Sequence, residues 1–357
     1  MKKRVLAAII AGVFVLGTLA GCGGKKEEAP AASGTEEAAP AGEEKSPEAE
    51  SPEAEVESGD VGKITMIMAL RDEFLSTLES GAKEIAVELG VELNTVDAQS
   101  DASKMIQFIE TARNNGEKAI IINMVDPETA AQCVEAAGDM KVVFVNRFPS
   151  DDSVLGDNVV YVGSDENVAG KLQGDWLVEK FKAEGKTDVK YILLQGTLGQ
   201  TNTTLRSESV LKALEDGGIN ATEATAPLAA DFDRAKAQDL ISPLLNTIEY
   251  DCIIANNDSM ALGATEAMKQ GGLNPSDVPI VGIDATIDGV AAVESGEMGM
   301  TVFQDAAGQG RGALIAAINL VTGAELNNGS PFSVDETGLI LWVPFEPVTQ
   351  ENVADYK

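Results

Sequence analysis

From residue 63 onward the chain alternates between two patterns. Apolar runs of strand length, "KITMIMAL", "KAIIINMV" and "KVVFVN", are separated by polar turns and by stretches with apolar positions three and four apart, such as "LSTLESGAKEIAVELG" and "ASKMIQFIETARNNG". The second spacing predicts amphipathic helices; the continuous runs predict strands buried on both faces. Gly90 and Gly116 stop two of these helices, and Asp126 with Pro127 marks the start of the next, as cap and first residue. The alternation then begins again. "VVYVG" precedes a helix over 167–183, "VKYILLQG" precedes "RSESVLKALEDGG", "ATEATAPL" reads as a strand before "FDRAKAQDLISPLL", and "YDCIIANN" precedes "DSMALGATEAMKQGG" and "VPIVGID". This order predicts right-handed βαβ units and an α/β fold with parallel sheets. "AIIINMVDPETAAQCVEAAG" and "CIIANNDSMALGATEAMKQGG" share one design, so two similar α/β lobes are expected. Ligands of open parallel sheets bind beyond the carboxyl ends of the strands, which places a site in the cleft between such lobes.

The first 60 residues break this pattern. A basic start (Lys2, Lys3, Arg4), an apolar run over 5–20 and "LAGC" ending at Cys22 have the layout of a secretory signal. Small residues before a cysteine resemble the bacterial lipobox, which implies cleavage before Cys22 and a lipid on its sulfur, hence a protein on a membrane rather than in it. Residues 23–60 are nearly all Gly, Ala, Pro, Ser and Glu, with "SPEAE" twice in succession. Such a segment buries no core and reads as a disordered, extended acidic tether.

Charge and composition remove several functions. The net charge is -32 and there is no histidine. Acidity of this size argues against a nucleic-acid partner. Without histidine there is no Ser-His-Asp triad and no ordinary zinc site. Of the three cysteines, Cys133 falls in a helical pattern and Cys252 in an apolar run; both are expected as buried free thiols.

Candidate chemistry lies at the strand ends: Asp72, Asn123, Gln200, Asn202, Arg206, Asn257, Asp284 and Gln304. Carboxylates accept, carboxamides do both, and arginine donates in a fork, which suits a ring of hydroxyl groups. Phe74 and Phe232 are candidate flat faces for the C–H side of a sugar ring. On spacing alone, Asn123, Asn257 and Asp284 read equally as caps or turn residues, and Asp126 and Asp258 read as helix caps. The loop "GTLGQTNTTLR" lacks both GxGxxG and a lysine after its glycines, so it is no phosphate loop; GxSxG is absent too. Asp72 and Asp284 as a glycosidase pair is the enzyme alternative.

"INMVDP", "FVNRFPS", "YVGSDENVAGKLQGD", "IIANNDSMALGATEA", "VGIDA" and "TVFQDA", in this order over 63–357, resemble the galactose/glucose-binding proteins, type I periplasmic sugar-binding proteins of ABC importers, with ribose-binding proteins as more distant kin. The resemblance implies two Rossmann-like lobes joined by crossings near 148–150, 301–305 and 338–341. One lobe spans 61–148 plus 304–339; the other spans 149–303 plus 340–357 and is completed by "LILWVPF" as its last strand. It implies hydroxyl contacts from Asp72, Asn123, Arg206, Asn257 and Asp284 and stacking by Phe74. Departures accompany these matches: Gln200 stands for a histidine, Asn202 for an aspartate, Phe232 for a tryptophan and Gln304 for an asparagine. The family's calcium loop is reduced to "EGKTDVK", with Lys190 in a ligand position, so no metal or other cofactor is expected; Asp251 is a remnant. The implied function is a lipid-anchored, extracytoplasmic, monomeric receptor that closes on a galactose- or glucose-like monosaccharide and docks on a permease, not an enzyme. A pentose, cyclitol, nucleoside or signalling furanose is the alternative ligand, and chemosensing a lesser role. The effector domain of a repressor shares the fold, but a signal and tether occupy the place of its DNA-binding module.

Overall fold

The computed structural model describes residues 61–357; the signal, Cys22 and the tether lie outside the described residues. In the first lobe β1 (Ile64–Met68), α1 (Glu73–Leu89), β2 (Leu93–Asp97), α2 (Ala102–Asn114), β3 (Ala119–Ile122), α3 (Ala130–Ala137), β4 (Lys141–Val145) and β5 (Val159–Gly163) alternate. The second lobe runs through α4 (Glu166–Ala183), β6 (Asp188–Gln195), α5 (Thr201–Asp216), β7 (Asn220–Glu223), β8 (Leu228–Ala229), α6 (Arg234–Ile241), β9 (Cys252–Ala255), α7 (Asp258–Gln270), β10 (Ile280–Val281), α8 (Ile287–Ser295) and β11 (Met300–Gln304). The chain returns with α9 (Ala306–Thr322), β12 (Ser333–Val334) and β13 (Ile340–Trp342), and ends with β14 (Phe345–Thr349).

Two sheets result, with orders β12-β13-β5-β4-β3-β1-β2 and β14-β11-β10-β9-β6-β7, β8 pairing with β6. Pairing is parallel except β12 with β13 and β14 with β11. Alternation splits each strand between two core layers: Ile64, Met66 and Met68 face one side of the first sheet and Ile67 the other. Two further layers cover the second sheet. The expected buried thiols Cys133 and Cys252 are both free; burial pushes the Cys133 thiol up to about 11.

Three placements differ from expectation. "VVYVG" forms β5, which pairs with β4 and β13 in the first sheet, so the first crossing lies at 164–165 rather than 148–150. "LILWVPF" is not one strand of the second lobe: β13 stays in the first sheet, and only β14 reaches the second. Pro344, which lacks an N–H, stands between them. "ATEATAPL" breaks into β7 and β8. The remaining crossing joins β11 to α9 at Asp305, whose side chain caps α9 by accepting from Gly308 N at 2.7 Å.

Candidate functional site

The carboxyl ends of the strands of both sheets converge on one cleft, lined by Asp72, Phe74, Leu75, Asn146, Arg147, Gln200, Asn202, Arg206, Phe232, Asn257, Asp284 and Gln304. Nine of the ten residues expected from sequence are among them. The space they leave is about 40 Å³, against about 300–1,000 Å³ for ordinary small-molecule pockets.

Asn123 is the exception. It is fully buried and does not line the cleft: its Oδ1 accepts from Ala69 N at 3.2 Å, and its Nδ2 donates to Val145 O at 3.2 Å. It ties the ends of β1, β3 and β4 together. Its Nδ2 also lies 3.4 Å from Asn146 Oδ1, so it supports the lining through Asn146. The lining position is taken instead by Asn146 and Arg147, at the end of the neighbouring strand. Sequence reasoning missed both, although they carry the same signal as the others, polar residues directly after an apolar run. Arg147 donates from Nη1 to Met124 O at 2.7 Å and Val125 O at 3.1 Å. Burial draws its guanidinium down to about 10, opposed by Asp72.

Asp72 caps α1, its Oδ1 accepting from Leu75 N at 2.7 Å, which leaves its other oxygen for the cleft. Asn257 likewise caps α7 through Oδ1 to Met260 N at 3.0 Å, so its Nδ2 remains as a donor. The expected cap at Asp258 is thereby corrected. Asp258 is the first helical residue, wholly buried, and accepts from Thr301 Oγ1 at 2.6 Å and Thr286 N at 2.9 Å. Asp126 does cap, accepting from Glu128 N at 3.0 Å, but at a short 3₁₀ turn before α3.

Three lining residues other than glycine hold left-handed backbone: Asn146 at φ 67, Phe232 at φ 60 and Asp284 at φ 122. Such conformations cost about 1–3 kcal/mol each and collect at ligand clamps. Phe232 lies over Gly196, where a Cβ would fall 2.0 Å from its ring. The loop after β6 therefore carries glycine there so that an aromatic face fits against it.

Arg206 anchors the second lobe. It is 3% exposed and donates from Nε to Glu166 Oε2 at 2.5 Å, from Nη1 to Asn256 O at 2.8 Å and from Nη2 to Gln304 Oε1 at 3.0 Å. Asp284 Oδ1 lies 3.8 Å from Nη1. Burial holds the Asp284 carboxyl well above the ordinary range; Arg206 opposes this, and Asp258, Asp72 and Glu166 add to it. Buried atoms left without a partner collect here: Gln200 Oε1, Gln304 Nε2 and Glu166 Oε1. An unpaired buried polar atom costs about 1–3 kcal/mol; the first two lie on residues of the cleft lining, one an acceptor and the other a donor. Away from the cleft, Asp251 accepts from Lys190 N at 2.9 Å and pairs with Lys186 at 3.4 Å.

Comparison with known proteins agrees with this architecture. The family described as "Periplasmic binding protein domain" matches residues 64–325. A putative rhizopine-binding protein from Rhizobium meliloti is 32% identical over 80% of this chain and 89% of its own length. The galactose/methyl-galactoside-binding periplasmic protein of Haemophilus influenzae is 29% identical over 80% and 88%. Among solved structures, an ABC transporter solute-binding protein from Bacillus halodurans with bound myo-inositol superposes with a TM-score of 0.73 at 30% identity, covering 84% of this chain and 98% of that one. The myo-inositol-binding protein of Caulobacter does so with a TM-score of 0.69 at 25%, covering 83% and 96%. Membership of this family implies an extracytoplasmic location. Among the described residues no helix is long and apolar enough to cross a membrane. The two parallel-dominated α/β lobes have the type I periplasmic-binding-protein fold, and the chain belongs to the periplasmic sugar-binding proteins of ABC transporters.

Proposed function

We propose that this protein is a membrane-tethered receptor that captures a cyclic polyol between its lobes and presents it to an ABC permease, with a cyclitol favoured over galactose or glucose. The observation that carries this is the polarity of the cleft. The carboxyl groups of Asp72 and Asp284 offer acceptor oxygens, Arg147 and Arg206 donate, and the carboxamides of Gln200, Asn202, Asn257 and Gln304 line the cleft with them. A carbocycle with a hydroxyl at every position meets such a mixed ring all round, since each hydroxyl both gives and takes. Relatives at 30% and 25% identity hold myo-inositol, and Gln200, Asn202, Phe232 and Gln304 are the positions that depart from the galactose/glucose pattern. The second reading, a galactose- or glucose-like monosaccharide, draws on Asp72, Phe74, Arg206, Asn257 and Asp284, which keep that pattern, and on a relative named for galactose.

Calorimetry with myo-inositol, D-glucose, D-galactose and D-ribose tests this. Myo-inositol is expected to bind at least about tenfold more tightly than glucose, which is about 1.4 kcal/mol. The reverse order favours the monosaccharide reading, and binding of none of them sinks both. No turnover of aryl glycosides is expected. The anchor is tested separately: Cys22→Ser should release the protein from the membrane fraction.

A further inference from the structure

The cleft leaves one buried acid without a role. Glu166 opens α4 just past the first crossing, is 4% exposed, and does not line the cleft. It reaches Arg206 because α4 and α5 pass unusually close: one turn along, a Cβ on Gly170 would fall 2.4 Å from Arg206 O. A guanidinium has donors only. Gln304 must therefore turn its Oε1 toward Arg206 Nη2, and its Nε2 is left buried and unpaired on the cleft lining. Gln304 ends β11, the strand before the crossing at Asp305. Arg206 is thus held from both sides by residues at two of the places where the chain passes between lobes.

We propose that Glu166 is a positioning residue of the solute site: acting through Arg206, it fixes Gln304 so that its amide N–H₂ is the group offered to the bound polyol, and it ties that donor to two of the crossings about which the lobes turn. This rests on the cleft reading above. Charge-assisted bonds are roughly twice as strong as neutral ones, and Glu166 supplies the shortest of the three that Arg206 makes. Without that carboxylate the remaining acid beside Arg206 is Asp284, at 3.8 Å. Arg206 then turns toward Asp284, and the Gln304 amide loses the partner that prevents it from flipping.

Glu166 and Gln304 share no hydrogen bond among those of the described residues, so any coupling between them runs through Arg206. The test is a double-mutant cycle in the full chain, with Glu166→Gln, Gln304→Ala and the pair. Dissociation constants are measured by calorimetry with myo-inositol, D-galactose and D-ribose, taking whichever the wild type binds most tightly. Each single variant is expected to weaken binding at least about tenfold, and the pair to bind within about threefold of the poorer single. Losses that multiply overturn the proposal, as does an unchanged affinity for Glu166→Gln. If Glu166→Gln does not fold, Glu166→Asp, which keeps the charge and shortens the reach, enters the same cycle with the same two outcomes. A wild type that binds none of the three probes overturns the cleft reading and this inference with it; a wild type that binds, with a multiplicative cycle, overturns this inference alone.

Discussion

At the residue scale, the cleft depends on acids held where water does not reach. Asp284→Ala should weaken ligand binding at least about tenfold, since it removes a buried hydrogen-bonding group and leaves the groups that faced it unpaired, at about 1–3 kcal/mol each; calorimetry that finds an unchanged affinity removes Asp284 from the site. Asp258 gives a pH prediction. Burial raises its carboxyl to about 7 from an unfolded value of 3.8. Between those values the folded protein binds the extra proton, so this group's contribution to stability falls as pH rises from 4 to 7. Wild type should therefore lose stability relative to Asp258→Asn between pH 5 and pH 7, by at most about 1.4 kcal/mol per unit. Urea unfolding at pH 5, 6 and 7 measures this, and parallel curves for the two proteins would contradict it. Most of the lining is legible in the sequence because the rule is simple: polar residues directly after an apolar strand point into the cleft. Asn123 obeys the same rule yet turns inward, since the backbone groups at the ends of β1 and β4 need a partner. Glu166 obeys no such rule; its link to Arg206 spans 40 residues and exists only once two helices pack.

Among elements, close helix contacts set how each lobe is built. α9 comes back from the second crossing to lie on α1. The approach is permitted by glycines on both helices: a Cβ on Gly81 would sit 2.3 Å from Ala307 O, and one on Gly310 would sit 2.0 Å from Leu78 O. Gly310→Ala is therefore expected to destabilise by about 1–3 kcal/mol through overpacking, despite alanine's better helix propensity. Chemical denaturation decides this, and a variant as stable as wild type would mean that the helices part without cost. Helices and strands of this fold are readable because the 3.6-residue period and the solid apolar runs are strong. Which sheet a strand joins is not. β5 and β13 have the composition of any buried parallel strand, and nothing in "VVYVG" or "LILW" distinguishes the first sheet from the second. Partner choice is made by neighbours distant in sequence, as in the pairing of Ile340 with Tyr161.

For the whole molecule, the proposed function turns on a balance between open and closed lobes, and a ligand shifts such a balance only by binding one form better. Charges at the lip of the cleft bear on that balance. Glu73, in the first turn of α1, is pushed up by burial first and then by Asp288 of the other lobe, with Arg234 opposing. Arg234 is itself paired with Asp288 at 2.8 Å. Closure of the lobes would thus bring Glu73 of the first lobe toward the Arg234–Asp288 pair of the second. With Arg234→Ala the acids face each other without it, and the closed form becomes harder to reach. Exposed pairs contribute only about 0.2–1 kcal/mol, so affinity should fall by no more than about fivefold, less than for Asp284→Ala. The loss should also shrink as salt rises, because the screening length falls from about 10 Å at 0.1 M to about 3 Å at 1 M. Calorimetry of wild type and Arg234→Ala at both salt concentrations separates the two cases. A deficit that persists unchanged at 1 M would show that Arg234 acts by packing against α7 and α8 rather than by charge across the lip.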